Sequence, residues 1–419
     1  MSSLADRVRG IVRSGPGPAP PVASSTGAAT RRIEDAWGGE SRDGCYIVQR
    51  RWDASATHGR EAVGMCAGRL HAASAEAPFF ARGAPARPPF VFIDLETTGL
   101  NGGAGTHAFL VGCAWFDDDR FVTRQYVMAR HADERKMLET VARECAHAGA
   151  FVSFNGRSFD APMLETRYLF HRLEWFGGDK PHVDMLHPAR QFWKRDDCSL
   201  QALERQLVGY RRRGDVAGVD VPARYFQFVR SGDPEPICQV LEHNRLDLLT
   251  LAALTSRLFD LARTGPDAAR DSREALALGH VFARAGLEHK ARAAFERSLA
   301  LNRAPNGAFD AVKIDALRSL ALAWRRAREF NRAAECWRDL LGIRGCPPAV
   351  AGEAAEALAI HHEHRLRDFR EAHRLAASTL RPGLTERRTD AVKWRLNRLE
   401  RRLAEQPSFG LLDQETCGT

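Results

Sequence analysis

One short stretch, residues 90–100, constrains the fold of this chain more than any other. It reads Phe-Val-Phe-Ile-Asp-Leu-Glu-Thr-Thr-Gly-Leu, and its four leading apolar residues favour a buried strand. Asp94 and Glu96 follow two residues apart, so both carboxylates point to one face of that strand. Two like charges at the end of a buried strand cost folding free energy unless a cation neutralises them. Oxygen ligands suit magnesium or manganese, which favours a metal site over a solvated turn.

The length and composition indicate a soluble protein with more than one domain. The 419 residues suffice for two hydrophobic cores. No apolar run is long enough to span a bilayer and the N-terminus lacks a secretory core, so no membrane contact is expected. Nine scattered cysteines, never spaced as Cys-x-x-Cys, argue against disulfides or a zinc site and predict a reducing cytoplasm. The net charge of +8 points only weakly to a polyanionic partner, because an Arg-rich composition from a GC-rich genome would give the same value.

Shifts in composition along the chain predict five segments. The N-terminal part is rich in Pro, Gly and small polar residues, which cannot form a core. Aromatic and apolar residues between Gly44 and Trp52 then suggest a strand that would add an edge to the next domain. The predicted segments are a disordered tail (1–40), a strand-containing extension (41–87), an α/β domain (88–264), a helical repeat domain (268–406) and a C-terminal tail (407–419).

A second acidic stretch follows a short apolar strand at residues 150–154. It reads Asn155-Gly-Arg-Ser-Phe-Asp160, and Pro162 then suits the first turn of a helix. Asp160 therefore lies at a strand-to-helix junction, where side chains face a site at the end of a sheet. A helix N-cap would have the same sequence pattern. Asp184, in another short apolar stretch, is interpreted as a structural hydrogen-bond acceptor.

A third acidic position lies in the helical pattern of residues 235–260. His243 and Asp247 are four residues apart and so are neighbours on one helix face. Taken alone, such a pair is more often a surface contact than a catalytic one. The basic run Arg211-Arg212-Arg213 before this helix is interpreted as an exposed loop, with a phosphate contact as the alternative.

The remainder of the chain is helical and repeats itself. The pattern that begins at Leu278 matches the tetratricopeptide spacing and recurs at Leu320, 42 residues later. A third, looser copy covers residues 357–380. The helix predicted over 385–404 would cap the stack, and its many basic residues are interpreted as a solvated face rather than a nucleic-acid contact. Such a stack could bind a protein partner.

The order and context of the three acidic stretches resemble the DEDD exonucleases of the ribonuclease H-like superfamily. Asp94-Leu-Glu96-Thr-Thr-Gly resembles the first motif, the stretch ending at Asp160 resembles the second, and His243-Asn-Arg-Leu-Asp247 stands where the third belongs. The YprB-like group of bacterial ribonuclease H-like proteins is similar in joining such a domain to tetratricopeptide-like helices. The resemblance implies an α/β ribonuclease H-like domain, with a mixed sheet flanked by helices, followed by an all-α repeat domain.

The resemblance also implies a metal-dependent 3′–5′ exonuclease acting on single-stranded DNA or RNA with two Mg or Mn ions. Asp94 would bridge the ions, with Glu96 and Asp247 completing one site and Asp160 holding the other. His243 would orient or deprotonate the attacking water. Candidates for holding the terminal nucleotide are Thr97 and Asn155.

One departure from the family pattern and two alternative functions stay open. The tyrosine subtype of these exonucleases has Tyr four residues before the last Asp, and the histidine subtype has His five before it. This chain has His243 at the tyrosine spacing and Glu242 at the other, so the identity of the water-activating residue is undecided. The alternatives to an exonuclease are a catalytically degenerate adaptor that binds protein through its repeats, and a structure-selective endonuclease.

Overall fold

The structure is a computed structural model that describes residues 26–42, 44–99, 105–193, 197–305, 307–380 and 385–405. Most of the predicted N-terminal tail, up to residue 25, and the predicted tail 407–419 lie outside these ranges. So do residues 101–104 of the loop that follows the first motif.

The predicted disordered tail is wrong for residues 26–40. Helix α1 covers Thr26–Trp37 and strand β1 covers Glu40–Arg42. Ile33 and Trp37 are buried, and the Trp37 indole donates a hydrogen bond of 3.0 Å to the backbone carbonyl of Pro234. These two apolar side chains, four residues apart, give α1 one buried face, which the low-complexity composition around them concealed.

A seven-stranded mixed sheet forms the centre of the described N-terminal half. The strands after β1 are β2 (Cys45–Trp52), β3 (Thr57–His58), β4 (Glu61–Ala62), β5 (Phe90–Thr97), β6 (Ala108–Asp117), β7 (Arg120–Met128), β8 (Ala150–Ser153) and β9 (His182–Asp184). The strand order in the sheet is β1-β2-β7-β6-β5-β8-β9, and a separate two-stranded ribbon pairs β3 with β4. In the order of the sheet, the neighbouring strands β1, β2, β7, β6 and β5 pair antiparallel. Strand β8 is parallel to β5, and β9 is parallel to β8.

Helices cover both faces of this sheet and form most of the described part of the C-terminal half. Those of the N-terminal half are α2 (Val63–Ala72), α3 (Glu134–Cys145), α4 (Asp160–Phe170), α5 (Leu186–Phe192), α6 (Leu200–Leu203), α7 (Val221–Ser231) and α8 (Glu235–Thr264). Those of the C-terminal half are α9 (Ser272–Arg284), α10 (Glu288–Leu301), α11 (Ala311–Arg326), α12 (Phe330–Leu341), α13 (Pro348–His361), α14 (Phe369–Ser378) and α15 (Glu386–Ala404). The mixed sheet with flanking helices and the helical C-terminal half confirm the predicted fold class.

Strand β5 is central, and the alternation of its side chains between the two faces of the sheet determines where the carboxylates point. Val91, Ile93 and Leu95 join the core formed with α3 and α4. Phe92 belongs instead to the core on the other face, under α8. Asp94 continues the face of Phe92, because side chains alternate along a strand. Since β5 and β8 run parallel, their carboxyl ends meet at one edge of the sheet.

The long helix α8 connects the sheet to the helical half. Its second half is almost entirely buried and shares one hydrophobic core with the sheet and with α9 to α13. Buried Glu274 of α9 accepts hydrogen bonds from Trp193 (2.9 Å) and Arg257 (2.8 Å). These contacts fix the first helix of the C-terminal half against the α/β half. None of the helices in the described ranges is both long and apolar enough to cross a bilayer.

Candidate functional site

Four carboxylates come together at the carboxyl edge of β5. Asp94 and Glu96 come from the strand itself, Asp160 from the start of α4 and Asp247 from α8. Burial raises the pKa of Asp94 well above its usual range, and the charges of the other three carboxylates raise it further. Burial and the charges of Asp247 and Asp160 likewise raise the pKa of Glu96. The structure thus brings together the four acids that the three sequence stretches supply.

Asn244, which the sequence analysis did not single out, fixes the position of Asp94 by hydrogen bonds. The Asn244 amide nitrogen donates to Oδ2 of Asp94 (2.8 Å) and to its backbone carbonyl (3.2 Å). Gln125 in turn donates to Oδ1 of Asn244 at 2.9 Å. Gly112 faces Asp94 across the β5–β6 pair, and a Cβ there would lie 2.2 Å from Oδ1 of Asn244. Only glycine therefore lets α8 approach the strand this closely.

Asp160 is placed by the tight turn after β8. It is only 7% exposed, and burial together with the charge of Asp184 raises its pKa to about 7. Gly156 lies in this turn, where a Cβ would come within 2.3 Å of Oγ of Ser153 and 2.8 Å of Oδ2 of Asp160. The glycine in the second motif is therefore a packing requirement.

Asp184 accepts hydrogen bonds from three backbone N–H groups around the same turn. The donors are Asn155 (2.8 Å), Arg157 (3.2 Å) and Leu186 (3.0 Å). This confirms the interpretation of Asp184 as a structural acceptor. Its position next to Asp160 also explains part of the raised pKa there.

The two residues predicted to hold a terminal nucleotide flank the carboxylates along the chain. The Thr97 hydroxyl, at the end of β5, donates to the backbone carbonyl of Gly99 at 2.8 Å, so it stabilises the turn after the strand. Asn155 is exposed and adopts a positive φ of 69°, a conformation that Asn tolerates better than most residues. Their contact with substrate stays a prediction.

His243 lies between two carboxylates on the rim of the site. Its Nδ1 is 2.8 Å from Oδ1 of Asp215, and its Nε2 is 3.5 Å from Oδ2 of Asp247. An ionised carboxylate only accepts hydrogen bonds, so Nδ1 carries the proton toward Asp215. The imidazole is therefore oriented with Nε2 toward the acidic cluster. Asp215 lies in the loop before α7, and no motif or spacing in the sequence marks it.

Arg212 is a further member of the site that the sequence did not predict. The sequence suggested an exposed loop, but the Arg212 side chain is only 6% exposed. Its Nη2 donates to Oδ1 of Asp247 at 2.5 Å, and its Nη1 donates to Oδ2 of Asp215 at 3.2 Å. Its Nε donates to Oε2 of Glu204 at 2.8 Å. The guanidinium thus links three carboxylates, an arrangement that its fork of five donors allows.

Glu204 is the buried carboxylate that holds the Arg212 guanidinium in place. It is 1% exposed and also receives hydrogen bonds from the Thr250 hydroxyl (2.6 Å) and from His58 (3.1 Å). Burial raises its pKa, but the hydrogen bonds from His58, Arg212 and Thr250 outweigh burial and hold the pKa below its usual range. Glu204 therefore stays ionised and keeps the guanidinium in place.

The chemistry of the donor set fits divalent metal ions. The four carboxylates lie at the buried edge of the sheet, and the pKa of each one is raised. The Arg212 guanidinium is a buried cation beside them. Across the ranges that the structure describes, no three acidic, His or Cys side chains are already arranged as metal ligands. Asp94 and Asp247 each accept a hydrogen bond on one oxygen, from Asn244 and Arg212 respectively, and the other oxygen of Asp247 lies 3.5 Å from Nε2 of His243.

Comparisons with known proteins agree with this fold. Residues 91–259 match the RNase_H_2 family, described as RNase_H superfamily. The chain is 29% identical over 320 residues to the uncharacterized protein YprB of Bacillus subtilis (strain 168), an alignment covering 74% of each chain.

Among solved structures, the chain resembles the family B DNA polymerase from the hyperthermophilic archaeon Pyrobaculum calidifontis. That alignment has 13% identity and a TM-score of 0.34, and it covers 57% of this chain but only 30% of the polymerase. The mixed sheet and its flanking helices are the architecture expected of the RNase_H superfamily, to which residues 91–259 are similar, and a helical region follows them.

Proposed function

We propose that this protein is a metal-dependent nuclease that hydrolyses phosphodiester bonds, removing nucleotides from the 3′ end of a single strand. The observation that carries the proposal is the convergence of Asp94, Glu96, Asp160 and Asp247 at one edge of the sheet. The RNase H superfamily match over residues 91–259 supports a nuclease as the class of enzyme. A cytoplasmic location remains a prediction from the scattered cysteines.

The four carboxylates would hold two divalent ions, Mg or Mn. When bound, such ions lower the pKa of an attacking water and stabilise the leaving alkoxide. Asn244 fixes the orientation of Asp94, and Arg212 fixes that of Asp247 while leaving Oδ2 of Asp247 available. Thr97 and Asn155 stand at the ends of β5 and β8, where we propose that they hold the terminal nucleotide.

His243 is the proposed general base. Asp215 holds the proton on Nδ1, so Nε2 has the lone pair with which to accept a proton from the attacking water. The position of His243 four residues before Asp247, rather than five, is compatible with this role because one helical turn places both side chains on the same face. Glu242 is exposed and pairs with Arg245, which favours His243 over Glu242 as the base.

The deciding experiment is manganese- and magnesium-dependent cleavage of end-labelled single-stranded DNA and RNA. Asp94→Asn is expected to abolish cleavage, while Asp119→Asn, in the exposed turn after β6, keeps it. A ladder that shortens from the 3′ end supports the exonuclease, and digestion of circular single-stranded DNA would instead indicate an endonuclease. If the wild type cleaves no DNA or RNA in any form, the proposal fails.

A second candidate is an adaptor with a degenerate nuclease site, which binds a protein partner through tetratricopeptide-like repeats. The engagement of Asp247 by Arg212 and the consecutive packing of helices α9 to α15 favour it. Calorimetric titration with Mn²⁺ separates the two candidates. Binding that Asp94→Asn removes supports the nuclease, and the absence of any binding supports the adaptor.

A further inference from the structure

We infer that the exposed face of the C-terminal helix α15 binds single-stranded nucleic acid. This surface is separate from the carboxylate site. The inference gives the proposed nuclease a second contact with its substrate, and so it rests on that proposal for its biological purpose. Binding itself can be measured without cleavage.

The first observation is the distribution of charge along the chain. Residues 272–404 contain 26 Lys and Arg against 16 Asp and Glu, whereas the rest of the chain contains 35 against 37. The helical half therefore accounts for the whole positive net charge of the protein. A positive surface of this kind attracts polyanions and raises their rate of association.

The second observation is that α15 uses only one of its faces for packing. Leu399 is fully buried, and Leu396 packs beside it against the core. On the opposite face lie Arg387, Trp394 and Arg401, seven residues apart along the helix, with Arg398 between the last two. This spacing places all four side chains in one stripe. We name this stripe, together with Arg402, the α15 face.

The third observation is an exposed aromatic ring within the α15 face. Trp394 is 60% exposed, and the Arg398 guanidinium lies 4.6 Å from its ring centroid. Arg398 also forms an ion pair with buried Glu363, which holds the guanidinium beside the indole. A tryptophan whose ring is held in place by a guanidinium offers a flat surface for a nucleobase. The exposed Arg387, Arg401 and Arg402 supply positive charge for the phosphates.

These observations favour a single strand over a duplex or an acidic protein. In a duplex the base faces are already stacked on each other, so Trp394 would have no partner; unpaired bases can stack on an aromatic side chain. An acidic peptide would need the arginines but not the indole. From Arg387 to Arg402 the helix is about 22 Å long, long enough to contact several consecutive nucleotides of a strand.

The test is fluorescence anisotropy of the full chain with labelled oligo(dT) and oligo(U) in EDTA, where a metal-dependent nuclease does not cut. Trp394→Ala is expected to weaken binding about tenfold, as for the loss of one stacked base, while Trp394→Phe retains most of the affinity. The triple variant Arg387→Gln, Arg401→Gln, Arg402→Gln is expected to lower the slope of log K against log salt by about 2. The matched control changes three exposed arginines elsewhere in the helical half, Arg273→Gln, Arg303→Gln and Arg344→Gln, and leaves the slope within about half a unit.

Several outcomes would overturn the inference. They are a wild type that binds neither oligonucleotide in EDTA, Trp394→Ala binding as the wild type does, and the two triple variants losing affinity equally. If polyglutamate or a duplex competes for binding as well as unlabelled oligo(dT) does, the α15 face recognises negative charge alone and not an unpaired base. Cleavage is scored separately: a protein that binds but never cuts disproves the nuclease and leaves this inference standing.

Discussion

Nδ1 of His243 lies 2.8 Å from Oδ1 of Asp215, although the two residues are 28 positions apart in the chain. The carboxylate therefore selects the imidazole tautomer and directs Nε2 toward Asp247. Asp215→Asn should lower kcat about 10- to 100-fold, the usual effect of removing a partner that orients a functional histidine. The pH–rate profile should also change, because the carboxylate that fixes the imidazole tautomer is then absent.

The control for this variant is Asp220→Asn. Asp220 is exposed and lies five residues further along the same segment, and its change should leave kcat and the pH profile unaltered. If Asp215→Asn reduces only the amount of folded protein, with kcat per folded molecule and the pH profile unchanged, His243 is not oriented in the way that we propose.

Arg212 is expected to contribute to stability through Glu204. Arg212→Met leaves the buried Glu204 carboxylate without its main counter-ion, and breaking a buried pair in this way costs about 3–5 kcal/mol of unfolding free energy. Adding Glu204→Gln should recover much of that loss, because the uncompensated charge is then absent. Urea denaturation measures both variants, with Arg211→Met, at an exposed neighbour, as the control. Equal stabilities for the single and double variants would show that the pair is not coupled.

Asp94 is expected to have opposite effects on stability with and without metal. In the metal-free protein its charge is repelled by Asp247, Glu96 and Asp160, so Asp94→Asn should raise Tm in EDTA by a few degrees. Mn²⁺ should raise the Tm of the wild type by binding the folded state, and it should have little effect on the variant. Thermal melts in EDTA and in Mn²⁺ test both signs. A variant that Mn²⁺ stabilises as much as the wild type would exclude Asp94 as a ligand.

Much of the fold could be predicted because its signals are local. Strands β6 and β7 follow from two apolar runs around the turn at residues 117–119, and the strand before Asp94 follows from four apolar residues in a row. Asp160 and Asp247 lie in or beside elements of recognisable type. A pattern within ten residues could identify each of these features, and the parallel pairing of β5 with β8 then brings them to one edge.

The rest of the site depends on contacts between distant parts of the chain. Asn244 is 150 residues from Asp94, and its approach depends on Gly112, which looks like any strand glycine in the sequence. A run of three arginines resembles a solvated loop, and Arg212 is buried only because Glu204 and Asp247 come from other elements to pair with it. The helix α1 was missed for a similar reason, since the partners of Trp37 lie far along the chain.

Asp160 should make the stability of the metal-free protein depend on pH. Its pKa is raised to about 7 in the folded state, against about 3.9 in an unfolded chain. The folded state therefore binds this proton more tightly. The resulting stabilisation is complete below about pH 4 and is lost as the pH rises to about 7.

Tm in EDTA is the measurement for this prediction. Between about pH 5 and about pH 8 the wild type should lose more stability than Asp160→Asn, which has no proton to release. Asp179→Asn, at an exposed position after α4, should behave as the wild type does. Parallel pH curves for the wild type and Asp160→Asn would show that the carboxylate is not desolvated in the folded protein.

Gly112 is expected to tolerate no side chain. A Cβ there would lie 2.2 Å from Oδ1 of Asn244, so Gly112→Ala must displace Asn244 and with it the orientation of Asp94. We expect a loss of about 1–3 kcal/mol of unfolding free energy, as for overpacked cores, together with a marked loss of cleavage. Gly68→Ala is the matched control, because Gly68 lies in helix α2 with no atom within 4 Å of the added methyl. That substitution should be neutral or stabilise the protein by about 0.5–1 kcal/mol. Full activity in Gly112→Ala would mean that Asn244 is not needed to hold Asp94.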